Sequence, residues 1–136
     1  MTTPASVTVT ATACEPATIE LAAITVDCAD PGPTADFYQA AANGELVRRE
    51  DDSAWVRMAG TLWIFRRVVD YRRPSWPSST VPLQIHMEFY VDDIDAAEAR
   101  LTALGATTAE YQSNREGGLL VMLDPAGHPF CICTRA

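Results

Sequence analysis

One order of elements occurs twice in this chain, and it limits the possible folds more than any other feature. An apolar, β-branched stretch is followed by a capped helix, a glycine stop and three short strands. The first copy runs from Ile19 to Tyr71 and the second from Leu83 onward, with Gly44 and Gly105 ending the two helices. The halves share this pattern rather than their residues. A strand–helix–three-strand unit cannot cover both faces of its own sheet, so two copies are expected side by side. The predicted fold class is therefore α+β: two paired βαβββ modules forming a curved mixed sheet around a cleft, with the helices outside. A concave sheet of that kind is a natural small-molecule pocket.

The boundaries follow from local chemistry. Ile19 to Asp27 is rich in Val, Ile and Thr and reads as a strand. Asp30-Pro31-Gly32-Pro33-Thr34 supplies a helix start, because Asp or Thr accepts the free first-turn amides and proline has no amide to satisfy. The helix runs through Phe37, Tyr38 and Ala41 to a left-handed stop at Asn43-Gly44. Strands follow around residues 45–49, 54–58 and 62–68. Arg72 to Pro82, with Pro74, Pro77 and Pro82 among its serines, is the linker. Beyond it lies a strand over Leu83–Val91. Asp93 then caps a helix whose Ile94, Ala97, Leu101 and Leu104 share one face, and strands follow near residues 107–112, 119–123 and 130–134. This gives a flexible N-terminal arm at 1–18, module one at 19–71, the linker at 72–82 and module two at 83–136. Within the arm, Val7-Thr8-Val9-Thr10 alternates like a strand.

A chain of 136 residues has room for one domain and buries roughly two thirds of its unfolded surface without a disulfide staple. Its 18 acids and 10 bases give a net charge of −8, which disfavours nucleic acid and anionic membranes and favours a cationic ligand. Cys14, Cys28, Cys131 and Cys133 form no CxxC pair, and no apolar run is long enough to span a bilayer. The start of the chain lacks the basic and apolar segments of a secretory signal, so the expectation is a cytoplasmic protein with reduced thiols.

The second half carries the most specific motifs. Gln84-Ile85-His86-Met87-Glu88-Phe89-Tyr90-Val91-Asp92-Asp93 is followed by a helix ending at Leu104-Gly105 and by the turn Asp124-Pro125-Ala126-Gly127-His128-Pro129-Phe130. Together with Val26-Asp27-Cys28-Ala29-Asp30-Pro31 and Phe37-Tyr38, this resembles the glyoxalase/bleomycin-resistance group of the vicinal oxygen chelate superfamily over residues 19–134. The resemblance implies the paired-module fold. For members that are enzymes it also implies a divalent metal held by four side chains, one on the first and one on the last strand of each module, commonly His or Glu. In this chain the first position falls near Ala23, which cannot coordinate. The last strand of module one, Thr61-Leu62-Trp63-Ile64-Phe65-Arg66-Arg67, has no His, Asp, Glu or Cys, and its two arginines repel cations. Module two retains His86, and Cys131 stands where Glu is usual. One histidine and one thiol fall short of the three or four ligands such sites use. The expectation is no metal and no cofactor.

Strand alternation puts His86, Glu88 and Tyr90 on one face, and Ile85, Met87, Phe89 and Val91 on the other, under the helix. The polar set is expected to line the cleft, where Glu88 can raise the His86 pKa and form an acid–base pair with it. Trp55, Trp63 and Phe65 on module-one strands and Trp76 in the linker offer flat surfaces for stacking. His128 is read as part of the turn. The expected ligand-binding set is thus Trp55, Trp63, Phe65, Trp76, His86, Glu88, Tyr90 and Cys131. The function that follows is metal-independent binding of a small organic ligand, an aromatic or cationic natural product sequestered as in antibiotic resistance. The alternative is a lyase or isomerase that uses His86 and Glu88 as catalytic acid and base, or a divergent divalent-metal site. Either version is expected as a homodimer, since family clefts are often completed by a second subunit and exposed strand edges need covering.

Overall fold

The computed structural model describes residues 17–135, and the expected arm at 1–18 lies almost wholly outside them. Module one contains β1 (Ile24–Cys28), α1 (Pro31–Ala41), β2 (Glu45–Arg49), β3 (Ser53–Met58) and β4 (Thr61–Arg67). Module two contains β5 (Met87–Tyr90), α2 (Ile94–Ala103), β6 (Thr107–Thr108), β7 (Leu119–Leu123) and β8 (Pro129–Cys133). The α+β class and the doubled βαβββ order stand as expected. The strands form two four-stranded sheets, one in each module, ordered β1-β4-β3-β2 and β5-β8-β7-β6. Each sheet is mixed, because its first and last strands run parallel while its other neighbours are antiparallel. The edge strands are β1 and β2 in one sheet and β5 and β6 in the other.

Several boundaries moved, each for a local reason. β1 begins at Ile24 and not at Ile19, because its ladder to β4 covers only Ile24–Cys28, and Ile19 is 90% exposed. β5 likewise begins at Met87, which leaves Ile85 outside the ladder and 70% exposed instead of under the helix. β6 stops at Thr108 because the Gln112 side chain takes over the pairing. Its amide donates to the carbonyls of Ala109 and Val121 at 2.8 and 2.9 Å and accepts from Val121 N–H at 2.9 Å. After α1 the left-handed residue is Asn43 (φ 53°) rather than Gly44. Gly44 is needed instead for close approach: a Cβ there would meet Val56 Cγ1 at 2.8 Å and the Arg57 carbonyl at 3.1 Å. Asp93 caps α2 as expected, accepting from Ala96 N–H at 2.9 Å.

One apolar core serves both modules. On β3, Ala54, Val56 and Met58 are buried beneath α1 while Arg57 between them is exposed, the alternation of a strand with one covered face. Tyr38 on α1 stacks on Phe65 of sheet one at 5.3 Å between centroids and also reaches Phe89 and Phe130 of sheet two at 6.4 Å each. Leu101 of α2 closes the same cluster. The Asp-Pro-x-Gly-His turn locks the modules together. Asp124 Oδ1 accepts from the N–H groups of Ala126 and His128 at 2.9 Å each, which holds the turn closed. His128 Nε2 lies 2.7 Å from the Asp27 carbonyl, which can only accept, so that nitrogen carries the proton. Tyr71 donates to the Ala126 carbonyl at 2.8 Å. The structural reading of His128 agrees with these contacts.

Candidate functional site

The strand register tests the four family ligand positions directly. Ile24 pairs with Trp63 in sheet one, and Met87 pairs with Phe130 in sheet two. Overlaying the two parallel pairs makes Ala23 the counterpart of His86, Thr25 of Glu88 and Ile64 of Cys131. The module-one positions are thus a methyl group and a branched hydrocarbon, and neither can donate an electron pair to a metal.

Module two concentrates its polar chemistry on one wall. His86 Nε2 and Glu88 Oε2 are 3.0 Å apart, and Glu88 lies opposite Cys131 in the ladder. Donor atoms of His86, Glu88 and Cys131 all lie within 4.8 Å of one another. Sequence reasoning counted two donors here, His86 and Cys131. Glu88 makes a third because it projects on the same face one pleat further along. The three still do not fit the four-point metal arrangement of the family. All stand on one wall, and the module-one positions Ala23 and Ile64 add no donor to them. Burial pushes the Cys131 thiol up, and the neighbouring Glu88 and Cys133 push it further in the same direction. Cys28 is raised to about 11, chiefly by burial.

Two cavities meet at the seam between the modules. One, of about 610 Å³, lies between β1, the linker and the segment leading into β5. The other, of about 910 Å³, lies between α1, α2 and β5. Trp63, His86 and Met87 line both. The indole Nε1 of Trp63 is buried and has no hydrogen-bond partner among the described residues. An unpaired donor in such a place is uncommon and costly.

The structure brings some of the expected site residues together and separates others. Trp63, His86, Glu88 and Tyr90 all line the larger cavity, and Cys131 adjoins His86 and Glu88. Tyr90 is 61% exposed, with the Arg135 guanidinium 4.4 Å above its ring. Trp76 packs against the small cluster of Ala109, Val121 and Cys131 and makes an edge contact with Tyr111 at 5.4 Å. Trp55 stands apart on the opposite face of β3 from the core residues, under Arg48 at 4.8 Å, and donates to Ser53 Oγ at 3.1 Å. Phe65 is a correction. It was expected in the cleft, but it is fully buried on Tyr38 because its face of β4 is the one α1 covers. Trp63 shares that face and reaches the cavities only because it lies at the seam. Sequence reasoning missed Arg100 and Arg135, which also line the larger cavity. Arg100 had a signal: it follows Ala97 by three positions on α2 and so borders the apolar stripe.

The fold is that of the vicinal oxygen chelate superfamily. The glyoxalase-like domain family matches residues 23–133, and the chain belongs to it. Nothing among the curated proteins matches the chain. Solved structures resemble it at the level of fold. A glyoxalase-related enzyme from Fulvimarina pelagi is 20% identical with a TM-score of 0.62, over 85% of this chain and 88% of that one. The fosfomycin resistance protein FosX from Listeria monocytogenes, complexed with Mn(II) and dihydroxypropylphosphonic acid, is 19% identical with a TM-score of 0.62, over 86% and 90%. A glyoxalase/bleomycin resistance protein from Albidiferax ferrireducens is 18% identical with a TM-score of 0.57, over 85% and 98%.

Proposed function

We propose that this chain is a metal-independent binding protein that holds a small organic ligand with a flat aromatic part at the seam between its modules. The observation that carries this reading is Trp63. It borders both cavities with its ring, while the family ligand positions of its own module are Ala23 and Ile64. The ligand is sequestered and released unchanged, in the manner of a drug-binding resistance protein. Equilibrium binding followed by recovery of the ligand tests this: the expected result is stoichiometric binding with the ligand mass unchanged. Recovery of a modified product overturns it.

A second reading rests on the 3.0 Å contact between His86 and Glu88, which suits a general base oriented by a carboxylate. It requires that His86→Ala abolish turnover while the protein still folds. The binding reading extends to a homodimer working in the cytoplasm. Support comes from the outer sheet edges, β2 and β6, and from exposed Ile85. Light scattering on the purified protein is expected to give twice the chain mass, and a monomer at micromolar concentration counts against it. No helix among the described residues is long and apolar enough to cross a membrane.

A further inference from the structure

The larger cavity combines an aromatic lining with two cations that lack a carboxylate partner. Trp63, Phe89 and Tyr90 present ring surface to it, and the core rings Phe37, Tyr38 and Phe130, each 2% exposed or less, lie behind them. Its charged residues are Glu88, Arg100 and Arg135, besides His86. Glu88 is engaged with His86 at 3.0 Å. Among the described residues Arg100 and Arg135 form no ion pair, like Arg57, Arg72 and Arg73 elsewhere, whereas Arg48, Arg49, Arg66, Arg67 and Arg115 each have a carboxylate partner. Arg135 lies over the Tyr90 ring, an arrangement that holds a guanidinium in place and leaves its in-plane N–H groups free to grip a planar anion.

We propose that this cavity binds an aromatic carboxylate, with the ring against Trp63, Phe89 and Tyr90 and the carboxylate held by Arg100 and Arg135. The inference rests on the binding function proposed above and names its ligand class. The net charge of −8 argues for a cationic ligand. That field is the sum of dispersed surface acids, screened beyond about 8 Å at physiological salt. Two guanidinium groups at the cavity act at hydrogen-bond range, where charge-assisted bonds are strongest. The local pair decides which ligand binds.

Three probes with one ring and different charges test the inference: naphthoate, naphthylmethanol and naphthylmethylammonium. Binding is measured by calorimetry on the wild type and on Arg100→Gln and Arg135→Gln. Both arginines are exposed, and thermal melts verify that the variants stay folded. The expected result is that naphthoate binds tightest and that each substitution weakens it about tenfold or more while leaving naphthylmethanol unchanged. The inference is overturned if naphthylmethanol or the ammonium probe binds as tightly as naphthoate, or if the substitutions weaken all probes alike. In those cases ring binding persists, and the broader binding function survives. If none of the three binds, the aromatic-binding function itself fails.

Discussion

Tyr38 on α1 donates its hydroxyl proton to Asp124 Oδ2 at 2.7 Å, joining two residues 86 positions apart in the chain. The other oxygen of Asp124 closes the turn that precedes β8. One buried carboxylate thus ties the helix of the first module to the strand pair of the second.

Tyr38→Phe keeps the ring stacked on Phe65 but leaves that carboxylate oxygen without its partner in a buried place. The expected loss is about 1–3 kcal/mol of unfolding free energy, more than a typical exposed hydrogen bond would contribute. Urea unfolding of the two proteins measures it, and an unchanged midpoint would show that the bond holds nothing together.

The same residue makes the protein sensitive to alkali. Burial, then the charge and hydrogen bond of Asp124, raise the Tyr38 pKa well above that of a free phenol. Burial and Asp124 also push Tyr71 up to about 12. A phenol is charged when deprotonated, so a raised folded pKa means the folded state holds its proton longer than the unfolded state. The stabilisation is complete below the unfolded value of about 10 and is lost as pH climbs toward the folded values. Melting temperature should be flat with respect to these two groups at neutral pH and fall above pH ~10. The phenolate absorbance of Tyr38 and Tyr71 should appear together with unfolding, and Tyr38→Phe should reduce that step.

Phe65 and Trp55 separate packing from surface. Phe65→Ala removes a ring from the centre of the shared core and should cost ~3–5 kcal/mol. Trp55→Ala removes a partly exposed ring held by Arg48 and Ser53 and should cost clearly less in the same denaturation assay. Equal losses would contradict the assignment of Phe65, rather than Trp55, to the core.

Cys131 gives a chemical readout of its wall. Because burial and the Glu88 charge hold its thiol protonated, alkylation at pH 8 should be slower than for an unfolded control. Glu88→Gln removes one of the causes and should speed labelling of Cys131, followed by peptide mass spectrometry. A slower or unchanged rate would mean that Glu88 does not act on the thiol.

Most of the fold could be read from the chain because its signals are local. The cap at Asp93 and the proline-rich linker follow from the chemistry of a few neighbouring residues. β2 and β7 came out at the expected residues because alternation and flanking turns define them. The site was only partly legible. His86, Glu88 and Tyr90 follow from strand parity, but parity does not say which face a helix covers. That is why Phe65 was assigned to the wrong environment and Trp63 reached the cavities for a different reason than its face suggested.

The sequence by itself determined the doubled module, the loss of metal donors at Ala23 and on the last strand of module one, and the polar set of His86, Glu88 and Tyr90. Each depends on residue identity and short-range periodicity. Tertiary structure alone decided that Tyr38 bridges the two modules through Asp124. It also decided that Glu88 joins His86 and Cys131, and that Arg100 and Arg135 share a cavity with Trp63, Phe89 and Tyr90. Those relations lie between residues far apart in the chain. They are set by how two separately formed modules pack on a common core, which no local pattern encodes.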